Sequence, residues 1–330
     1  MIDISVKYLG LTLKNPIIVG SCGLTSTIES LKKLESNGAA AIVLKSIFEE
    51  QIIREADYEL STALKDSLIY SQMSETLDYI DTHIKEKNLN EYIQLIQNAK
   101  KELLIPVIAS INCISSDQWT TFAKKIQTAG ADAIELNIFL NANDESDICF
   151  EDTYKQIIAQ VKSQVTIPVA VKITSSFSKI SKTIQKIANT GVDGLVLFNR
   201  YYAPDIDLET MTVINSHKYS NENDYSLPLR WIAATSNKVS CDLAASTGIH
   251  SGDSVIKQIL VGANAVQVVS AIYKHGPEHI QTMLADIEKW MDKKGYNYID
   301  QFKGKLSISN KTNASAFERI QFMKYFSEIV

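Results

Sequence analysis

Small, apolar and polar positions follow one another in the same order at four places along this chain. Asn-Gly-Ala-Ala-Ala-Ile-Val-Leu spans 37–44 and Ala-Gly-Ala-Asp-Ala-Ile-Glu-Leu spans 129–136. Thr-Gly-Val-Asp-Gly-Leu-Val-Leu spans 190–197, and Val-Gly-Ala-Asn-Ala-Val-Gln-Val spans 261–268. Each copy reads as a glycine that ends a helix in the left-handed conformation, a tight turn, and a buried strand. Two further apolar runs, 105–110 and 167–172, share an Ile-Pro opening, and proline is tolerated at a strand's first residue. With the runs at 16–21, 41–47, 133–138, 194–199, 241–247 and 265–270, the pattern predicts eight strands separated by helices. That rhythm predicts a TIM (β/α)8 barrel of the α/β class.

Between the strands the period changes from 2 to 3.6. Ser26 or Thr27 is placed to cap a helix that carries Ile28, Leu31 and Leu34 on one face. Another helix is expected around 90–104. A last one, about 277–292, sets Ile280, Met283, Leu284, Ile287, Trp290 and Met291 toward a core. Residues 4–15 alternate and turn at Gly10, which predicts an N-terminal β-hairpin closing the barrel floor. The organisation is read as one domain, 1–330: hairpin 1–15, barrel 16–292 and C-terminal extension 293–330. Three stretches break the rhythm: 49–88 as an irregular excursion over the mouth, the acidic loop 139–150, and 200–226. Loops longer than about 12–15 residues inside a compact domain usually carry function or are disordered.

Composition narrows the partners. At 330 residues the length suits a single barrel, and 45% hydrophobic residues suffice for a large core. The net charge of −5, with signs interspersed, leaves no basic footprint for nucleic acid. No apolar run approaches the roughly 20 residues of a membrane helix, and the amino terminus is unlike a targeting peptide. Cys22, Cys113, Cys149 and Cys241 form no Cys-x-x-Cys pair, so neither a disulfide framework nor a cysteine-bound metal is expected. A cytoplasmic location is the expectation.

In such a barrel, chemistry sits just past the carboxyl ends of the strands. Lys45 and Lys172 each end an apolar strand. They suit an anionic ligand or electron-rich ring, or alternatively a Schiff base. Asn112, Asn137 and Asn199 also end strands, and their amides match the ring N–H and C=O groups of a planar heterocycle. Thr247-Gly248 after the seventh strand and Val269-Ser270 after the eighth occupy the usual barrel phosphate position. His250 is expected at the surface, and Cys22 is read as a small packing residue. Arg200, Tyr201, Tyr202, Ser146 and Cys149 are candidates for recognition or proton transfer.

These residues, in this order and spacing, resemble the dihydroorotate dehydrogenase family of FMN-containing flavoproteins over roughly 2–306. The landmarks are Asn15-Pro16, Ser21-Cys22-Gly23, Lys45-Ser46, Glu135-Leu136-Asn137, Val171-Lys172, Asn199, Thr247-Gly248-Ile249 and Gly262 through Gln267. The resemblance is to the soluble class, in a divergent "dihydroorotate dehydrogenase-like" branch, and implies a place in pyrimidine metabolism. It implies FMN contacts from Ser21, Lys45, Ser46, Asn112, Asn137 and Lys172, with the phosphate held by Thr247, Gly248, Val269 and Ser270. It turns Lys45, Asn137 and Asn199 toward the substrate, beside which Arg200 stands, and makes a homodimer a family-level expectation.

The family's pattern is replaced at several points: Arg200 stands for a serine, Thr247-Gly248 for paired glycines and Val269-Ser270 for a Gly-Thr. Leu140 stands where the family has its cysteine or serine base, and the family's orotate loop has no counterpart in 49–88. The expectation is therefore an FMN-dependent oxidoreductase acting on a CH–CH bond of a small heterocycle, with an anionic dihydropyrimidine as the expected class of substrate. The alternatives are a catalytically silent FMN-binding relative, or a Schiff-base lyase or aldolase on the same barrel.

Overall fold

Each copy of the repeated phrase closes a helix and opens a strand in the computed structural model, which describes residues 2–48, 73–113, 119–138, 149–200, 203–216 and 218–308. Its glycines adopt left-handed backbone, with φ of +103° at Gly38, +102° at Gly130, +86° at Gly191 and +112° at Gly262. The polar residue two positions on from three of these glycines pins a neighbouring strand. Asp132 accepts from the Val107 amide at 2.7 Å, Asp193 from Val169 at 2.8 Å, and Asn264 from Leu243 at 3.1 Å. Lysines of preceding helices complete two of these pins, Lys100 on Asp132 at 2.7 Å and Lys162 on Asp193 at 2.9 Å. The repeat thus terminates a helix and satisfies a strand's first N–H in one stroke.

The strands are β1 (Val6–Tyr8), β2 (Leu11–Leu13), β3 (Ile17–Val19), β4 (Ala41–Val43), β5 (Ile47–Phe48), β6 (Val107–Cys113) and β7 (Ala133–Ile138). They continue with β8 (Val169–Ile173), β9 (Gly194–Leu197), β10 (Ala203–Asp207), β11 (Thr212–Ser216), β12 (Asp242–Ser246) and β13 (Ala265–Val268). The sheet runs β4-β3-β13-β12-β9-β8-β7-β6, all parallel, and closes where β4 also pairs with β6. Both β4 and β5 pair with β6, through Ile42↔Val107 and Ile47↔Ile111, so they are two pieces of one barrel strand. The unbroken strand expected over 41–47 is interrupted at its centre. There the Lys45 amide turns to the Thr25 carbonyl at 3.2 Å and the Ser46 amide to the Ser21 hydroxyl at 2.9 Å.

The surrounding helices are α1 (Ile28–Ser36), α2 (Met73–Glu102), α3 (Trp119–Thr128), α4 (Phe150–Gln164) and α5 (Ile180–Ala188), then α6 (Ser226–Thr235), α7 (Gly252–Leu260), α8 (Ser270–His275) and α9 (His279–Lys294). Thr27 caps α1, its hydroxyl accepting from the Ser30 amide. The last helix buries Ile280, Met283, Ile287 and Met291 completely, while Leu284 and Trp290 pack at its margin. Burial of each such side chain contributes about 1.5–3 kcal/mol. At the floor, the β1–β2 hairpin buries Tyr8, Leu9 and Leu13, and Asp242 of β12 accepts from the Leu9 amide at 2.7 Å. The chain beyond α9 straps the outside of the barrel. Ile299 and Phe302 are buried, and the amides of Leu306 and Ile308 bond to Leu260 and Ala233 carbonyls, each at 2.8 Å.

Two expectations for the interruptions need correction. Residues 73–88, read as irregular, belong to α2, which runs unbroken from Met73 because no glycine or proline lies between it and Glu102. Residues 49–72 lie outside the described residues. Within 200–226 the chain forms an antiparallel hairpin, β10–β11, with Ile206 opposite Val213 and Asp207 opposite Thr212. A 3-10 turn over Glu222–Tyr225 then leads into α6. Among the described residues, no helix is long and apolar enough to cross a membrane.

Candidate functional site

Strand ends and the loops after them enclose a cavity of about 470 Å³ at the carboxyl end of the barrel. That volume lies within the range of small-molecule and cofactor sites. Its wall draws on β3 (Ser21), β8 (Lys172), β9 (Asn199, Arg200), β12 (Thr247, Gly248) and β13 (Val269, Ser270). All eight of these side chains or backbone positions were expected at the site. Lys45 does not line this cavity; it is exposed at the break between β4 and β5. Leu140, Ser146, Tyr201 and Tyr202 lie outside the described residues.

The remaining expected residues stand beside or beneath the wall, placed there by strand register. Asn112, Asn137 and Lys172 form a row across β6, β7 and β8, each opposite the next. The Asn199 amide donates to the Asn137 side-chain oxygen at 2.8 Å, joining that row to the cavity wall. Asn112 is buried, and its side-chain oxygen has no partner among the described residues. Buried polar groups are seldom left so, and an orphaned acceptor beside a cavity fits a ligand that donates to it. Ser46 lies in a chain of hydroxyls: Ser21 to Ser46 at 3.0 Å, then Ser46 to Ser110 at 2.7 Å.

Beneath Lys172 is a charged group that attention to strand ends alone missed. Lys172 is 8% exposed. Its ammonium donates to the Gln267 side-chain oxygen at 2.9 Å and lies 3.8 Å from Glu135. The Gln267 amide in turn donates to the other Glu135 oxygen. Both Glu135 and Gln267 are almost wholly buried. The available signal was a polar residue inside an apolar strand, two positions before Asn137 in β7 and two before Val269 at the end of β13, the spacing at which side chains share a face of a strand.

The segment after the β10–β11 hairpin crosses the wall near β13. The Arg200 guanidinium donates to the carbonyls of Lys218 and Tyr219, at 3.0 and 2.9 Å. The Ser220 amide donates to the Ser270 hydroxyl at 3.0 Å, and its carbonyl accepts from Lys274 at 2.9 Å. Arg200 therefore holds backbone as well as facing the cavity. His250, expected at the surface, is buried against this segment, with Nε2 2.9 Å from the Ser220 hydroxyl. The turn after β12 folds it inward, and the α7 cap, Ser251, follows it. Burial, and then the Lys274 charge, hold the His250 imidazole below its ordinary pKa.

Gly248 explains why the turn takes this path. A Cβ there would stand 2.0 Å from the Tyr225 nitrogen and 2.5 Å from the Asp224 carbonyl carbon. Thr247 precedes it with φ +82°, also left-handed, and its hydroxyl donates to the Phe198 carbonyl at 3.2 Å. Cys22 lines the wall, and burial raises its thiol pKa, which opposes a nucleophilic role. Cys149 does not line the cavity; it precedes α4 and its thiol faces Glu151 at 3.4 Å.

A closed parallel barrel with a polar cavity at its carboxyl end, floored by a buried cation, is the architecture of the barrel enzymes. The chain belongs to the dihydroorotate dehydrogenase family, whose sequence profile matches residues 3–291. It is 28% identical over 318 residues to the dihydroorotate dehydrogenase B (NAD(+)) catalytic subunit of Thermoplasma volcanium, covering 92% of this chain and 98% of that one. It is 25% identical over 301 residues to dihydroorotate dehydrogenase A (fumarate) of Lactobacillus delbrueckii subsp. bulgaricus, covering 88% and 95%. The corresponding catalytic subunit from Pyrococcus furiosus is 24% identical over 314 residues, covering 92% and 98%. Family membership makes the chain an oxidoreductase relative with a TIM-barrel fold.

Proposed function

We propose that this protein is an FMN-dependent oxidoreductase acting on a CH–CH bond of a small, anionic heterocycle related to dihydroorotate. The observation that carries the reading is the row Asn112–Asn137–Lys172 beside a cavity that also reaches Thr247, Gly248, Val269 and Ser270. One part of this set offers amides, hydroxyls and a cation to a planar ring, and another offers the β12 and β13 loops to a phosphate. The orphaned Asn112 oxygen matches a ring N–H, and the cavity volume admits a group of this size.

In this reading Lys172, Asn112, Asn137, Ser21 and Ser46 hold the flavin ring. Thr247, Gly248, Val269 and Ser270 hold its phosphate, and Lys45, Asn137, Asn199 and Arg200 face the substrate. Bound FMN supplies the hydride acceptor, chemistry that no side chain provides. The residues of the chain would orient the ring and supply it with the positive charge of Lys172. Asn199 and Asn137, bonded to each other, fix one another's amide orientation, so the donor and acceptor they offer are set before a ligand arrives.

In this reading proton removal is where the chain departs from the family. Leu140 occupies the position of the family's base, and a leucine accepts no proton. We therefore place the substrate beyond dihydroorotate itself, among related compounds. A Schiff-base lysine is disfavoured, because the Lys172 side-chain nitrogen is already bonded to Gln267 and lies within ion-pair distance of Glu135. The proposal includes a homodimer and a cytoplasmic location.

Purified protein tests the reading. Absorbance near ~450 nm, released on denaturation, is expected of a bound flavin. Its anaerobic bleaching by one member of a dihydropyrimidine panel would identify the substrate. Asn137→Ala should lower FMN retention with the fold intact. Colourless protein that takes up no added FMN would end the proposal.

A further inference from the structure

Deep in the barrel three polar side chains from three strands form a closed arrangement that ligand contact alone does not require. Lys172 of β8, Gln267 of β13 and Glu135 of β7 meet across the interior. Glu135 is 1% exposed, and its Oε1 has no hydrogen-bond donor among the described residues. Its Oε2 accepts from the Gln267 amide, which fixes which end of that amide is the oxygen. The oxygen is thereby aimed at the Lys172 ammonium. One of the three ammonium N–H groups is occupied by Gln267, and the remaining two are available to Glu135 and the cavity.

Burying a carboxylate is costly unless a cation balances it, and removing one partner leaves an uncompensated charge. The carboxylate is felt around it. The hydroxyl pKa values of Tyr8 and Tyr92 are raised, first by burial and in part by Glu135. Lys172 is the cation that lies within ion-pair distance of Glu135 among the described residues.

We propose that Glu135 and Gln267 are positioning residues that hold the Lys172 ammonium in place and cancel much of its charge, so that Glu135 sets how strongly the site favours negative charge on a bound ring. This rests on the flavin reading above. The amide is the mechanical link and the carboxylate is the electrostatic one. The two roles separate by substitution, because a glutamine at 135 keeps the amide's partner while deleting the charge.

The experiment compares wild-type protein, Glu135→Gln and Gln267→Met in two arms. In the first, FMN reduction potentials are measured at neutral pH. Glu135→Gln should raise the affinity for reduced over oxidised FMN about tenfold, an upward shift of about 30 mV for a two-electron couple. Gln267→Met should weaken FMN binding severalfold and leave the potential near that of the wild type. An unchanged or lowered potential in flavin-loaded Glu135→Gln would overturn the electrostatic role.

The second arm uses flavin-free protein and acetic anhydride, with acetylation of Lys172 followed by peptide mass spectrometry. The free amine is the nucleophile, so loss of the carboxylate should accelerate acetylation severalfold relative to exposed lysines. Equal rates in wild type and Glu135→Gln would overturn the relay. If no variant binds FMN, the flavin reading fails, while this arm still decides whether the relay exists. Should Glu135→Gln not fold, faster labelling of Lys172 in Gln267→Met, from an ammonium no longer held by the amide, supports the positioning role, and an unchanged rate overturns it.

Discussion

Replacing Gly248 by alanine should damage this site far more than the loss of a glycine ordinarily does. The backbone there has φ +77°, a conformation that costs an L-residue roughly 1–2 kcal/mol. The added Cβ would also stand 2.0 Å from the Tyr225 nitrogen and 2.9 Å from its Cα. Ordinary contact requires the Tyr225 backbone to retreat by more than about an ångström. That segment is tethered: the Tyr225 carbonyl accepts from Gln258 at 2.9 Å, and its hydroxyl from Lys257 at 3.1 Å. Overpacking against fixed atoms costs about 1–3 kcal/mol, so the total is about 2–5 kcal/mol. Gly191 provides the control. Its φ is +86°, but a Cβ would meet nothing within 4 Å, so Gly191→Ala carries only the dihedral cost. Urea denaturation of the two variants, with FMN fluorescence titration alongside, isolates the clash. Gly248→Ala should be the less stable by about 1–3 kcal/mol, and it alone should lose FMN affinity. Equal destabilisation, with flavin binding unaffected in both, would refute the placement of this turn against Asp224–Tyr225.

Three further predictions test other parts of the structure. Asp193→Ala strands the buried Val169 amide and should cost about 1–3 kcal/mol in urea denaturation, with Asp193→Asn costing less. His250 has a depressed pKa in the folded protein, so the unfolded chain binds its proton more readily. Its contribution to stability is complete above the unfolded value and is lost as pH falls through the folded one; a His250→Gln variant should lack this acid-side loss in a stability–pH profile. Leu140→Cys should raise anaerobic dihydroorotate oxidation above the wild-type rate if position 140 is where the family's base stands, and no change would count against that alignment.

The candidate site was legible wherever a polar residue ended an apolar strand. Lys172, Asn137, Asn199, Thr247 and Ser270 could be found in this way, because strand ends in a barrel converge on one mouth. Lys45 obeys the same pattern yet stands exposed, since the strand breaks at 44–46 to bond with the loop after β3. His250 was misjudged for a related reason: a turn whose path depends on a contact with Tyr225, distant in sequence, folds it inward.

What the sequence determined by itself is local in origin. A glycine that ends a helix and the change of period between helix and strand specify the (β/α)8 rhythm, because each acts through near neighbours. Only the tertiary structure decided which polar groups meet. Glu135 and Gln267 are separated by 132 positions, yet they share a hydrogen bond beneath Lys172 because β7, β8 and β13 face one interior. Strand spacing states that such residues share a face, whereas barrel closure brings the faces together.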